Sequence, residues 1–450
     1  MSKDLTQGAI GPWLYRLTAP MVMGIMAIFL FNLVDTYFVS LLGTQSLAAI
    51  SFTFPVTMMV MNIAIGLSIA TGAVVARAIG QKNHSKAKTS VTSSFYLALF
   101  VGLVVGGVGL LTQEWVFRAL GADEVLIPLI KDYLSVWYMG SALLIVLIAI
   151  NASIRATGNT KLPSYIMLLS AAINGVLDPL LIFGLGPFPE MGIQGAAVAT
   201  VISWLIAFVV ILKNLLSLDL VGFRLNQSVR HGWKKLISLG IPAALTNMLG
   251  PLANGILVAW VASYGTQAVA AYGVGSRLEP LALIVVMAFT ASLPPFVGQN
   301  HGAYEFKRIE SALMKSMRFI LIWQILVYGA LVIFAHPISR LFSDDPDVQT
   351  IIRTFIYIVP ISYFGMGFSL VCTATINALH KTRISLNINL IRLFAIYIPM
   401  AWVGHRYFGL EGIFWGCALG NLTIGILMLL AFKKVRHDEG LKETLLGSPK

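Results

Sequence analysis

Twelve apolar runs, each long enough to cross a hydrocarbon layer about 30 Å thick as a helix, follow one another along the 450 residues. They lie near 17–42, 52–77, 91–111, 126–150, 162–183, 192–212, 236–262, 269–297, 316–335, 350–377, 384–405 and 412–432. In lipid such a run satisfies its own backbone only as a helix, and strands of a membrane barrel would be short and alternating. The pattern predicts an all-α integral membrane protein. Only 11% of the residues are charged, against roughly 25% in a soluble domain. Too few charges remain to coat two or three soluble domains, so a soluble enzyme, a disordered scaffold and a disulfide-rich module are excluded. Cys372 and Cys417 lie in apolar runs and match no metal or redox spacing, so they are expected as buried thiols. The polar first sixteen residues lead into the first long run without a cleavage pattern, and no removable signal peptide is expected.

The formal net charge of +12 would point to nucleic acid in a soluble protein. Counted by loop, however, 23 of the 31 basic residues fall on one side and only Arg118, Arg340 and Arg406 on the other. That asymmetry is the positive-inside signature. It puts both termini in the cytoplasm, fits a bacterial inner membrane and leaves no need for a nucleic-acid partner.

The chain also repeats itself. Gly43-Thr-Gln-Ser-Leu-Ala-Ala49 recurs as Gly265-Thr-Gln-Ala-Val-Ala-Ala271, and Pro20 recurs as Pro242, both 222 positions on. Arg155-Ala156…Thr160-Lys161 maps onto Asn377-Ala378…Thr382-Arg383 at the same offset. Gly80-Gln81 matches Gly298-Gln299 at 218, which predicts one short indel. Six spans per repeat give a parallel repeat, so the expected architecture is two pseudo-symmetric six-helix bundles, a transporter arrangement. The predicted division is an N-terminal lobe at 1–212, a cytoplasmic linker at 213–235, a C-terminal lobe at 236–433 and a tail at 434–450. No Gly-Lys pair exists, so the phosphate-cradling loop of an ATP-driven pump is absent from this chain. Transport would draw on an ion gradient or on a partner subunit, with no catalytic residue, no bound cofactor and no metal cluster.

Ionisable residues inside a span are costly and point to function. Asp35 in the first span and Asp178 in the fifth lie roughly 10 Å and 8 Å from the same face of the layer, at 1.5 Å per residue. Asn174 is one turn from Asp178 on its helix face; Tyr133 in the fourth span and Thr200 in the sixth reach a similar depth. They form one cluster if their helices are neighbours. Desolvation and a second acid nearby oppose full ionisation, so the pair could load a proton near neutral pH, or hold Na⁺ through hard oxygens. The plain alternative is a hydrogen-bonding staple between helices. Adding 222 gives Leu257 for Asp35 and Met400 for Asp178, so the fold does not require either acid. The second half carries Arg277, Glu279 and Arg392 instead, read mainly as internal pairing or snorkelling, with substrate contact by Glu279 as the minority reading. Met and Phe enrich the first two spans, and Met26 and Phe29, with Asn32, are candidate substrate contacts on an adaptable surface.

Phe31-Asn-Leu-Val-Asp-Thr-Tyr-Phe-Val39 below Pro20, Ala156-Thr-Gly-Asn-Thr-Lys161, Asn174-Gly-Val-Leu-Asp-Pro179 and Gly192-Ile-Gln-Gly-Ala-Ala-Val-Ala-Thr200 together resemble the multidrug and toxic compound extrusion (MATE) family. The resemblance spans nearly the whole chain. It implies an antiporter alternating between inward- and outward-open V-shaped states and exporting amphipathic, cationic drugs. It assigns ion coupling to Asp35, Asn174 and Asp178, and by looser alignment to Thr200 and Tyr133, with a hinge near Pro20. Another branch uses acids in the seventh and tenth spans for Na⁺, but 236–262 and 350–377 contain no Asp or Glu. The chain is therefore similar to the branch named for DNA-damage-inducible F, with H⁺ as the expected ion and Na⁺ at Asp35, Asp178 and Asn174 as the alternative. It is expected to work as a monomer in lipid. A flippase for lipid-linked saccharides stays open as the alternative function. An intramembrane aspartyl hydrolase would need a Gly-x-Gly-Asp motif that the sequence lacks.

Overall fold

A computed structural model describes residues 3–222 and 227–446, with side chains placed as far as residue 432. Arg224 in the predicted linker and the side chains of the tail at 434–450 lie outside the described residues. The helices are α1 (Ile10–Ser40), α2 (Thr44–Gly80), α3 (His84–Ala119), α4 (Leu126–Ala156), α5 (Lys161–Ile182), α6 (Gly192–Ser217), α7 (Gln227–Ala262), α8 (Thr266–Ala282), α9 (Ile284–Gly302), α10 (Phe306–Ile333), α11 (Ala335–Phe342), α12 (Pro346–Ile358), α13 (Tyr363–Ala378), α14 (Thr382–Ile391) and α15 (Ile398–Leu446). No strand occurs among the described residues.

Ten continuous stretches are long and apolar enough to span a membrane, and α8 with α9, bent by 43°, makes an eleventh. The twelfth is hidden in the last stretch, Thr382–Phe432, whose 51 residues would reach about 77 Å as one helix. Gly409, at φ 66° and ψ −148°, breaks it in a backbone conformation that essentially only glycine adopts. Two crossings lie on either side, as the apolar runs 384–405 and 412–432 predict. Pro360 likewise breaks the tenth span into α12 and α13 through a short 3-10 turn.

Packing divides the chain into two compact units: residues up to Leu5 with Ala19–Ala244, and Thr6–Thr18 with Leu245 onward. Inside lipid, burying apolar surface gives no hydrophobic drive between helices, so close approach and dispersion must hold them together. Small residues supply the approach. In the first unit α4 is the hub, packed on α2, α3 and α6. A Cβ at Gly102 would sit 2.3 Å from the Ala142 Cα, one at Gly106 would sit 2.6 Å from the Tyr138 carbonyl, and one at Gly140 would meet Val201 at 2.4 Å. Larger side chains of α4 such as Leu134, Trp137, Ile145 and Ile150 are buried in the core of this unit. In the second unit α13 packs on α9, α10 and α15. Cys372 and Cys417 are free and buried there.

Described residues outside the helices are pinned at two places. After α6, Lys88 pairs with Asp219, the Gly222 N–H donates to Thr92 Oγ1 at 3.0 Å, and Ser93 Oγ donates to the Val229 carbonyl. Before α1, the Lys3 N–H donates to the Thr157 carbonyl at 2.8 Å, and Leu5 is fully buried. Within the second unit, the Arg308 guanidinium donates to the carbonyls of Gln7 and Gly8.

The repeat is written into the backbone. Three pairs of residues with left-handed φ stand 222 apart: Gly43 and Gly265, Lys82 and Tyr304, Gly158 and His380. Helix boundaries agree, since α2 and α8 begin 222 apart, as do α3 and α10, and α4 and α13 end 222 apart. The structural partner of Gly80 is thus Gly302, at the end of α9, and the indel expected from Gly298-Gln299 does not exist. That dipeptide match at 218 was a coincidence of composition in a glycine-rich helix end.

Asn83 caps α3 by accepting from the Lys86 N–H at 2.9 Å. Its replacement by Ala is expected to cost about 1 kcal/mol, read as a lower thermal midpoint in detergent, whereas Asn83→Asp should keep the midpoint near wild type.

Candidate functional site

The first unit gathers the predicted polar residues from α1, α4, α5 and α6. Asp178 and Asn174 are fully buried on one face of α5, and Thr200 and Tyr133 are buried on α6 and α4. Asn174 Nδ2 donates to Thr200 Oγ1 at 3.2 Å. Asp35, half-buried on α1, lies within electrostatic range of both Asp178 and Tyr133, and Tyr133 within range of both acids. Five residues separated by 165 positions of chain are thereby brought together, which their shared depth required of adjacent helices but could not by itself establish.

The hydrogen-bonding balance is lopsided. Asp35 Oδ1, Asn174 Oδ1 and both carboxylate oxygens of Asp178 are buried without a hydrogen-bond donor. The Asn174 amide stands beside Asp178, yet its well-formed hydrogen bond goes to Thr200. Four buried acceptors without donors are costly. Neither acid closes an ion pair with a described basic residue; the pairs of Lys88, Arg118 and Lys131 lie elsewhere. A proton would remove one of the charges and supply one donor, and a bound cation would draw on several of these oxygens.

Pro20 lies inside the continuous helix α1, where its ring removes one backbone donor. Its own carbonyl accepts from Ser164 Oγ of α5, and Gly24 one turn on packs against Ser164 and Met167. α1 is thus tied to the helix that carries Asn174 and Asp178. Met26, Phe29 and Asn32 form an i, i+3 row that ends on Asp35; Met26 and Asn32 are exposed and Phe29 half-buried. The Asn32 amide is engaged by its own helix, donating to the Ile28 carbonyl.

In the second unit Glu279 and Arg392 lie within electrostatic range of each other, while Arg277 is exposed. Arg392 opens a π-helical segment, Arg392–Tyr397, that periodicity does not reveal. Its Nη1 donates to Ser369 Oγ at 2.9 Å. Ser369, buried on α13, has no signal in the sequence, because a lone serine in an apolar run is ordinary.

Comparison with known proteins identifies the family of the chain. The sequence pattern of the family described as MatE matches residues 20–180 and again 242–403. The chain belongs to the MatE family. Its two matches begin 222 residues apart, the spacing of the internal repeat. A protein of Shewanella oneidensis named FAD transporter is 42% identical over 427 residues, 94% of each chain. The multidrug export protein MepA of Staphylococcus aureus is 26% identical over 422 residues, 91% of this chain and 92% of that one. Among solved structures, the Vibrio cholerae MATE transporter VcmN in the bent form superposes with a TM-score of 0.92 at 33% identity, covering 96% of this chain and 98% of that one. This MatE chain is therefore a transporter of twelve membrane spans in two lobes and not an enzyme.

Proposed function

We propose that the chain is an ion-driven exporter in which Asp35, Asp178, Asn174, Thr200 and Tyr133 form the coupling site, with H⁺ as the ion. The observation that carries this is the cluster of four donorless acceptor oxygens around two carboxylates. A proton on either acid removes one negative charge and adds the missing donor. In the other state both acids are ionised and repel each other, so gain and loss of a proton changes how tightly α1 is held against α5. The bond from Ser164 to the Pro20 carbonyl supports a hinge near Pro20, where that change would bend α1. Na⁺ held by the hard oxygens of Asp35, Asp178 and Asn174 is the alternative ion.

For the cargo, the relative at 42% identity favours a flavin dinucleotide over the amphipathic cation that the family resemblance implies. The drug-exporting relative is more distant at 26%. An anionic, aromatic cargo also changes the bookkeeping of charge, because export of an anion against entering protons is not charge-neutral.

The test is purified protein in liposomes loaded with FAD, with either a pH gradient or a Na⁺ gradient imposed. Efflux of FAD driven by the pH gradient alone is expected. Efflux of ethidium but not FAD would return the cargo to the cationic class, and efflux driven only by Na⁺ would overturn H⁺ coupling.

A further inference from the structure

The second unit holds a polar constellation that the coupling site does not use. Glu279 and Arg392 carry opposite charges within electrostatic range, yet they do not close an ion pair within 4.0 Å. Glu279 is half-buried, and no hydrogen bond among the described residues satisfies its carboxylate. Arg392 spends Nη1 on Ser369 Oγ, and its Nε is buried without an acceptor. Were the pair a staple between helices, direct contact would be the stable arrangement, because a buried charge is tolerated when it is paired and hydrogen-bonded. Here an acceptor and a donor stand apart, both unmet.

Both charges sit at interruptions of their helices. Glu279 precedes Pro280 and lies one turn before the 43° bend between α8 and α9; at that break Gln324 Nε2 donates to the Ala282 carbonyl at 3.1 Å. Arg392 begins the π-helical segment that also contains Tyr397. Broken spans and π-helical turns are where membrane transporters place binding groups. By the predicted spans 269–297 and 384–405, Glu279 lies roughly 15 Å and Arg392 roughly 12 Å along their helices, close to the middle of a ~30 Å core. The repeat again supplies the comparison. At an offset of 222 the first half has Thr57 and Ser170, so the scaffold folds without either charge. Three tyrosines, Tyr272, Tyr363 and Tyr397, lie within electrostatic range of Glu279; Tyr272 and Tyr363 are buried, and half-buried Tyr397 leaves aromatic surface accessible.

We propose that Glu279, Arg392 and Ser369 form a cargo subsite that reads a planar ring edge presenting an N–H beside a carbonyl, the imide edge of an isoalloxazine. This rests on the flavin reading of the cargo. The guanidinium donates to the ring carbonyl, and the Glu279 carboxylate accepts from the ring N3–H. A gap wider than an ion pair is what two such hydrogen bonds to adjacent ring atoms require. Tyr397, half-buried at the end of the π-helical segment, covers the ring face.

The experiment compares FAD with FAD methylated at N3, a probe that keeps the ring, the pyrophosphate and the adenosine but removes the single donor. Binding is titrated by flavin fluorescence on wild type, Glu279→Gln and Arg392→Lys in lipid nanodiscs. Wild type is expected to bind the methylated compound about 10–100-fold more weakly, because a site built around a buried acceptor rejects an analogue without the donor. Glu279→Gln keeps a neutral acceptor for the ring N3–H, so it should bind FAD about tenfold more weakly while still preferring it over the methylated form. Equal binding of the two compounds by wild type would overturn the subsite while leaving FAD as the cargo. If FAD itself does not bind, the flavin reading falls and the subsite with it. The wild-type comparison needs no substitution, so a variant that fails to fold does not decide the outcome.

Discussion

Asp35→Asn is expected to cut gradient-driven export by at least about 100-fold while the protein still folds and binds cargo. The side chain keeps its size, and the first unit loses a charge that it had no donor to satisfy, so no packing is broken. What disappears is the ability to alternate between a charged and a neutral state, on which coupling depends. The variant is fixed as a neutral mimic of the protonated acid. Cargo affinity that varies with pH in wild type should become flat in Asp35→Asn, and the pH gradient should no longer collapse when cargo is added. Asp35→Glu keeps a titratable group on a longer arm and should retain a measurable fraction of the rate. Normal export by Asp35→Asn, measured in the same liposomes, would remove Asp35 from the mechanism and leave it as a structural acid.

The largest loss of stability is expected from Gly102→Val. A Cβ at this position would lie 2.3 Å from the Ala142 Cα and 3.1 Å from its backbone nitrogen. Because the obstacle is backbone, no rotamer change relieves it, and α3 and α4 must separate. Overpacking of a close contact costs 1–3 kcal/mol or more, and here the whole hub helix α4 is displaced, so about 3 kcal/mol or more is expected. Thermal unfolding in detergent should fall by several degrees or the protein should fail to accumulate. Gly107→Ala, on the same helix with nothing within 4 Å, is the matched control and should stay within about 0.5 kcal/mol of wild type. A Gly102→Val protein as stable as the control would mean that α3 and α4 do not meet at this point.

What could be read from the residues and what could not follow a physical line. Spans, the parallel repeat and the cost of Asp35 and Asp178 depend on composition along the chain, and a solvent of lipid makes composition decisive. Depth along a helix is also one-dimensional, which is why Asp35, Asn174, Asp178, Thr200 and Tyr133 could be proposed as one cluster before any contact was known. Lateral neighbours are two-dimensional information. Ser164 on the Pro20 carbonyl, Ser369 under Arg392 and Gln324 at the α8–α9 bend are single polar residues in apolar runs, and no periodicity distinguishes them from surface serines or glutamines. The π-helical segment escapes for another reason: it changes hydrogen-bond register without changing composition. The offset of 218 shows the opposite hazard, since Gly-Gln is common enough at helix ends to match by chance, whereas left-handed backbone at Lys82 and Tyr304 is not.

The hydrogen bond from the Lys3 N–H to the Thr157 carbonyl sets an order for biogenesis. A chain threaded into a membrane during synthesis exposes its first residues long before residue 157 exists. The peptide that carries Leu5 must therefore wait, unengaged, until the fourth span has been released and the turn after it has formed. Completion of the first unit is thus reported back to the segment before α1, and a nascent protein stalled before that turn would present residues 3–5 to chaperones and proteases that the finished protein denies them.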